Sequence, residues 1–315
     1  MSSLLLKNGT IVTSKRIFDS DIYIQDGIIS SIQNSGQNSG QNSLSLSVDQ
    51  CIDIKGLYVF PGVIDPQVHF REPGFEWKED LMTGSMAAVA GGVTSFFEMP
   101  NTKPATISAE LIADKKKRAK EKSLVNYNFF IGATNNNIHE LNSVKNVPGI
   151  KIFMGSSTGD LLIDNFSVLE NIFKNGSRLI AVHAEDETLL QANKKKLAEC
   201  NNVHFHPTIR NSEVALTATK KAIELSKKYK RRLHILHLTS EEEVKYLELE
   251  KNNYITAETT PQHLYFSAPD VYDTLGTYGQ MNPPIREKNH QSALWYGLKN
   301  NIIDANGGVA FAETL

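Results

Sequence analysis

Residues 61–102 read PGVIDPQVHFREPGFEWKEDLMTGSMAAVAGGVTSFFEMPNT. The run opens in an apolar strand, residues 58–64, and passes into metal-capable and anion-capable side chains, Gln67, His69 and Arg71. A helical pattern over 79–90 follows, stopped by Gly91-Gly92, and then a second strand, 93–98, with Asn101 past its tip. Polar residues gathered just beyond successive strands mark a site built at one end of a parallel sheet.

The same alternation continues toward the C-terminus. Helices are expected over 108–122, 138–144, 164–174 (ended by Gly176), 185–198, 212–228 and 287–299. Between them lie strand patterns over 125–131, 150–154, 178–182, 233–238 and 254–259. Ser240 followed by Glu243 supplies a capping box for a helix to about residue 250, and Ile302-Ile303 reads as the start of an eighth strand. Seven strand–helix units and the start of an eighth predict an α/β chain folded as a (β/α)8 TIM-type barrel. A doubly wound open sheet is the competing arrangement, but the Gly-rich phosphate loop expected after its first strand is absent.

Toward the N-terminus the texture changes. Residues 4–60 are β-rich, and Asp26-Gly27 between two apolar runs predicts a hairpin. Residues 1–56 are therefore expected as a small β module and 57–315 as the barrel. The repeat NSGQNSGQNS at 34–43 has nothing apolar to bury and is expected at a flexible loop tip.

Over its 315 residues the chain is 40% hydrophobic and 22% charged, with a formal net charge of -2. That balance offers no electrostatic attraction for nucleic acid or an anionic membrane, and the basic runs at 115–122, 194–196 and 227–232 read as solvated faces. The sequence has no apolar run of about 20 residues and no secretory leader pattern, so a cytoplasmic location is expected. Cys51 and Cys200 have no paired spacing, so neither a disulfide framework nor a thiolate zinc centre is suggested.

A metal here has to use other ligands. His183 and His237 close apolar strands, as His69 does, so three of nine histidines stand at strand ends. Strand alternation places His237 on one face with Leu233 and Ile235, and His234 on the other. Alone, His183 fits a core histidine as well as a ligand. Lys151, inside the apolar strand GIKIFMG, calls for a partner or a chemical change, because a buried ammonium is costly. Arg71 offers a planar fork for a carboxylate, and Asn282 lies in the loop after the seventh strand. His139, His204, His206, His263 and His290 read as structural or surface residues.

The segments GVIDPQVHFREPG, AAVAGGVTSFFEMPNT, GIKIFMGSSTG, VHAED, HILHLTS, ITAETTPQHL and GQMNPPIR occur in this order and together resemble the dihydroorotase branch of the amidohydrolase superfamily, near its bacterial members. The resemblance implies reversible hydrolysis of the ring amide of (S)-dihydroorotate to N-carbamoyl-L-aspartate, a step of pyrimidine biosynthesis, on one or two zinc ions. It implies His69 as ligand of a first metal, Lys151, carboxylated on its amine, as the bridge, and His183 with His237 as ligands of a second. Arg71, Asn101 and Asn282 match positions that hold the substrate. The N-terminal module matches part of a small β-sandwich.

The chain departs from the family pattern twice. Gln67 stands where the first histidine of an HxH pair is usual, and NNIID is followed by ANGGVAFAETL instead of a DHAPH-type motif. Asp304 matches a residue ahead of the catalytic aspartate, so that role is left unassigned and the barrel is expected to be truncated near strand eight. The resemblance also admits a hydantoinase, dihydropyrimidinase or allantoinase, or a non-catalytic subunit supporting aspartate transcarbamoylase. Association, as a homodimer, is expected.

Overall fold

A computed structural model describes residues 2–33, 48–155 and 161–307; the 34–43 repeat lies outside them. The chain divides into two compact units, Met1–Val63 and Ile64–Leu315.

The first unit is one sheet. Strands β1 (Ser3–Val12), β2 (Ile17–Gln25) and β3 (Ile28–Gln33) run antiparallel, while β4 (Gln50–Asp53) and β5 (Tyr58–Val59) pair with β1 in parallel. Asp26 and Gly27 take φ of 51° and 78°, the left-handed pair a two-residue hairpin turn requires. The strand expected over 58–64 is thus two strands. Tyr58–Val59 belongs to the small sheet, and Pro61, which has no N–H for a ladder, separates it from β6 (Val63–Val68).

The second unit is the (β/α) barrel. After β6 come α1 (Leu81–Ala90), β7 (Val93–Glu98), α2 (Ala109–Lys122), β8 (Asn126–Phe129), β9 (Ile131–Gly132), α3 (Ile138–Ser143), β10 (Ile150–Phe153) and α4 (Phe166–Lys174). Then follow β11 (Ile180–His183), α5 (Glu187–Lys196), α6 (His206–Ile209), α7 (Ser212–Tyr229), β12 (Leu233–Ile235), α8 (Glu241–Glu250) and β13 (Ile255–Thr259). The chain ends its described part with α9 (Pro261–Tyr265), α10 (Asp270–Leu275), α11 (Lys288–Lys299) and β14 (Ala305–Asn306). The strands lie side by side in chain order, β6-β7-β8 and then β9 to β14, and every registered pair is parallel.

Caps set the helix boundaries. Asp80, Ser108, Asn165, Asp186, Asn211 and Ser240 each accept a backbone N–H of the first turn, and Ser240 with Glu243 completes the expected capping box. Alternation sets the layers. Ile150, Ile152, Ile180, Val182, Leu233, Ile235, Ile255 and Ala257 join the large apolar core that also takes in Ala218, Ala222 and Leu247 of α7 and α8. Lys151, His183 and Glu258 occupy the alternate positions, on the opposite face of the same strands.

Ile302-Ile303 is not the eighth strand. Both side chains are buried in the large core, Ile303 against Gly297 of α11, and the ladder to β13 begins at Ala305. Among the described residues no helix is long and apolar enough to cross a membrane.

Candidate active site

The first wall is the end of β6. Gln67 and His69 are buried, and the His69 Nδ1–H donates to Asn101 Oδ1 at 2.7 Å, which leaves Nε2 with its lone pair free of a proton. The segment past β7 therefore fixes the ring of the residue past β6. Arg71 takes φ +66°, and Glu98 accepts its backbone N–H. Glu98 also meets Lys115 of α2 at 2.6 Å, both fully buried. Among the described residues neither amide atom of Gln67 has a hydrogen-bond partner.

The opposite wall is a histidine pair. His183, ending β11, and His237, beyond β12, approach to 3.0 Å between Nδ1 and Nε2, with their rings edge to face. His183 Nε2 lies 2.7 Å from the Glu185 carboxylate, and Glu185 is also ion-paired with the buried Arg210. Burial alone pushes the Glu185 carboxyl up; Arg210 and the His183 hydrogen bond more than offset this and bring it to about 2. An ionised Glu185 fixes the His183 proton on Nε2, so the Nδ1 lone pair points at His237.

His237 is where expected, for a different reason. Leu233 and Ile235, the residues taken to share its face, lie in the helix-side core. His234 points inward instead, within 2.8 Å of Thr256 Oγ1 and 3.0 Å of Glu258 Oε2. The strand stops at Ile235, and a left-handed backbone at His237, φ +39°, turns its side chain to His183. Strand parity does not extend across such a residue.

Lys151 lies between the walls, almost fully buried, its Nζ 4.6 Å from the centre of the Phe153 ring. The five groups share one field. Burial, then Arg71 and Lys151, hold His69 well below the usual imidazole range, and burial, then His183 and Lys151, do the same for His237, which also feels His263 and His69. His69, Arg71, Asn101, Lys151, His183 and His237 are thus brought together.

Asn282 sits in the loop after α10, its Oδ1 buried and, among the described residues, without a hydrogen-bond partner. Asp304 is elsewhere: its carboxylate accepts the Ala257 N–H at 2.8 Å and binds Lys251 at 2.8 Å, so it is spent on the start of β14. Glu185, Arg210, Glu98 and Lys115 were not singled out from sequence, although Glu185 follows His183 by two residues in VHAED.

The Nδ1 of His183 and Nε2 of His237 converge and a carboxylate fixes the proton of the first, whereas no group of three or more His, Cys, Asp or Glu residues is poised as a metal cluster among the described residues. Carboxylation of Lys151 would add the anionic oxygens that its ammonium cannot offer. At the first position Gln67 supplies only an amide, a weak partner for zinc beside His69.

A parallel barrel with buried histidines and a lysine at the C-terminal ends of its strands has the site of a barrel enzyme. The Amidohydrolase family model matches residues 58–281, and the chain belongs to that family. It is 34% identical to a dihydroorotase of Methanosarcina acetivorans over 316 residues, covering 96% of this chain and 66% of the relative. An allantoinase of Deinococcus radiodurans is 30% identical over 96% of this chain and 68% of its own length. Among solved structures, an L-hydantoinase (dihydropyrimidinase) from Arthrobacter aurescens superposes with a TM-score of 0.89 at 26% identity, covering 98% of this chain and 69% of that one. The chain spans about two thirds of the length of the curated relatives it matches.

Proposed function

We propose that the protein is a zinc-assisted cyclic amidohydrolase of dihydroorotase type, interconverting (S)-dihydroorotate and N-carbamoyl-L-aspartate in pyrimidine biosynthesis in the cytoplasm. The observation that carries this reading is the convergence of His183 Nδ1 and His237 Nε2 at 3.0 Å beside Lys151. His183, His237 and a carboxylated Lys151 would hold the cation. When bound, it lowers the pKa of water and polarises the ring carbonyl. The chain does the rest. Arg71 offers two parallel N–H donors to the substrate carboxylate, and Asn101, fixed by His69, and Asn282 border the ring. Water adds to the amide carbon, the ring C–N bond breaks, and the leaving nitrogen takes a proton. Arg71 favours a carboxylate-bearing ring over hydantoin or allantoin, which are the substrates suggested by the names of other relatives.

The test is zinc content with turnover. About one zinc per chain, lost in Lys151→Ala and His237→Ala, together with hydrolysis of dihydroorotate, supports the reading. Arg71→Ala is expected to raise KM far more than it lowers bound zinc. A metal-free protein that turns over neither N-carbamoyl-aspartate nor hydantoin would sink it.

A second reading rests on Gln67, whose buried, unpartnered amide stands where the resemblance implies a histidine ligand. In it the chain is a non-catalytic subunit, a homodimer or a partner of aspartate transcarbamoylase, and co-purification with stimulation of that enzyme distinguishes it.

A further inference from the structure

Two histidines read from sequence as structural residues make the same contact on the two sides of Asn282. His206, in the short helix α6, donates Nε2–H to the Met281 carbonyl at 2.8 Å, while its Nδ1 accepts from Gln280 Nε2 at 3.2 Å. His263, in α9, donates Nε2–H to the Pro283 carbonyl at 3.1 Å, while its Nδ1 accepts from Thr260 Oγ1 at 2.7 Å. Each ring thus has one assigned donor and one assigned acceptor. Burial supports this by holding both near 4, neutral at pH 7. Arg286 closes the same segment, bonding Thr239 Oγ1 at 2.9 Å and the Arg210 carbonyl at 2.6 Å. Between the two clamped carbonyls, the Asn282 side chain keeps a buried Oδ1 with no partner among the described residues. An amide oxygen held that way is presented for a donor that the protein does not supply.

We propose that His206 and His263 are positioning residues that clamp the main chain on either side of Asn282 so that its side-chain amide meets an N–H donor of the bound cyclic substrate. The proposal rests on the cyclic-amide reading above.

The experiment uses the full chain and reads kinetics alongside direct titration with (S)-dihydroorotate. Asn282→Ala, His206→Leu and His263→Leu are each expected to raise KM and the titrated Kd about 10-fold or more, with kcat within about 3-fold, the size of one lost hydrogen bond to substrate. His206→Gln and His263→Gln, which keep a donor where Nε2 stands, are expected to recover most of the loss. Combining either Leu variant with Asn282→Ala should add little, because the clamp acts only through that residue. Losses that add fully to Asn282→Ala, or a lower melting temperature with unchanged KM and Kd, overturn the inference. Binding without turnover in the wild type overturns the hydrolytic reading alone, and the titrated Kd values then decide the clamp. A wild type that neither binds nor turns over the ligand overturns both.

Discussion

Glu185 Oε2 stands 2.7 Å from His183 Nε2 and is shared with the Arg210 guanidinium, so one buried carboxylate serves an imidazole and a cation at once. Removing it acts on both. Glu185→Gln is expected to weaken zinc binding about 10- to 100-fold, because the His183 proton is no longer fixed on Nε2. Glu185→Ala, by stranding Arg210 in the interior, should cost about 3–5 kcal/mol. Zinc titration and urea unfolding of the two variants separate the effects.

The buried Lys115–Glu98 pair makes a second case. Burial pushes Glu98 up and Lys115 down, so each ion depends on the other. Lys115→Met alone is expected to cost about 3–5 kcal/mol, and Lys115→Met with Glu98→Leu to recover much of that, as paired burial of apolar side chains allows. Since Glu98 also accepts the Arg71 backbone N–H, the double variant should raise KM through Arg71. A double variant no more stable than Lys115→Met would refute the coupling.

His206 and His263 predict a pH dependence of stability. Burial lowers both from 6.5 to about 4. Below 6.5 the unfolded chain takes up protons that the folded chain refuses, so stability present above that value is lost as pH falls toward about 4. At about 1.4 kcal/mol per pH unit, each contributes on the order of 3 kcal/mol across this window. Urea midpoints measured from pH 7 to pH 4 should fall, and the slope should shrink in a His206→Gln, His263→Gln double variant.

Gly84 of α1 sets how closely that helix approaches β6. A Cβ there would lie 2.7 Å from the Phe70 ring, which itself packs edge-on to Phe96 at 4.7 Å between ring centres. Gly84→Ala is expected to destabilise by about 1–3 kcal/mol through displacement of Phe70. Because Phe70 separates His69 from Arg71, a raised KM should accompany the lower melting temperature, and an unchanged melting temperature would count against this packing.

The barrel was legible because its apolar strands and caps carry local signals. Ser240-Glu243 and the Gly91-Gly92 stop appear in the structure where the sequence places them. The candidate residues at strand ends come together in space for the same reason. What escaped depends on backbone outside regular structure or on partners distant in sequence. His237 reaches the site through a left-handed residue, which parity rules do not cover. Ile302-Ile303 has strand composition but is used to cover the end of α11. Glu185 finds Arg210, and His206 finds Met281, across 25 and 75 residues, and no periodicity encodes such pairs.

The small sheet has a consequence for synthesis. Strand β1 pairs locally with β2, but its other edge waits for residues far along the chain: Leu4 registers with Gln50 and Thr10 with Tyr58. Until residues 50–59 have left the ribosome, β1 presents a row of unpaired main-chain groups on that edge, and an open edge is where nascent chains join to one another. Strand β1 is thus completed only by residues far later in its own unit, and in the interval its open edge is available to other chains.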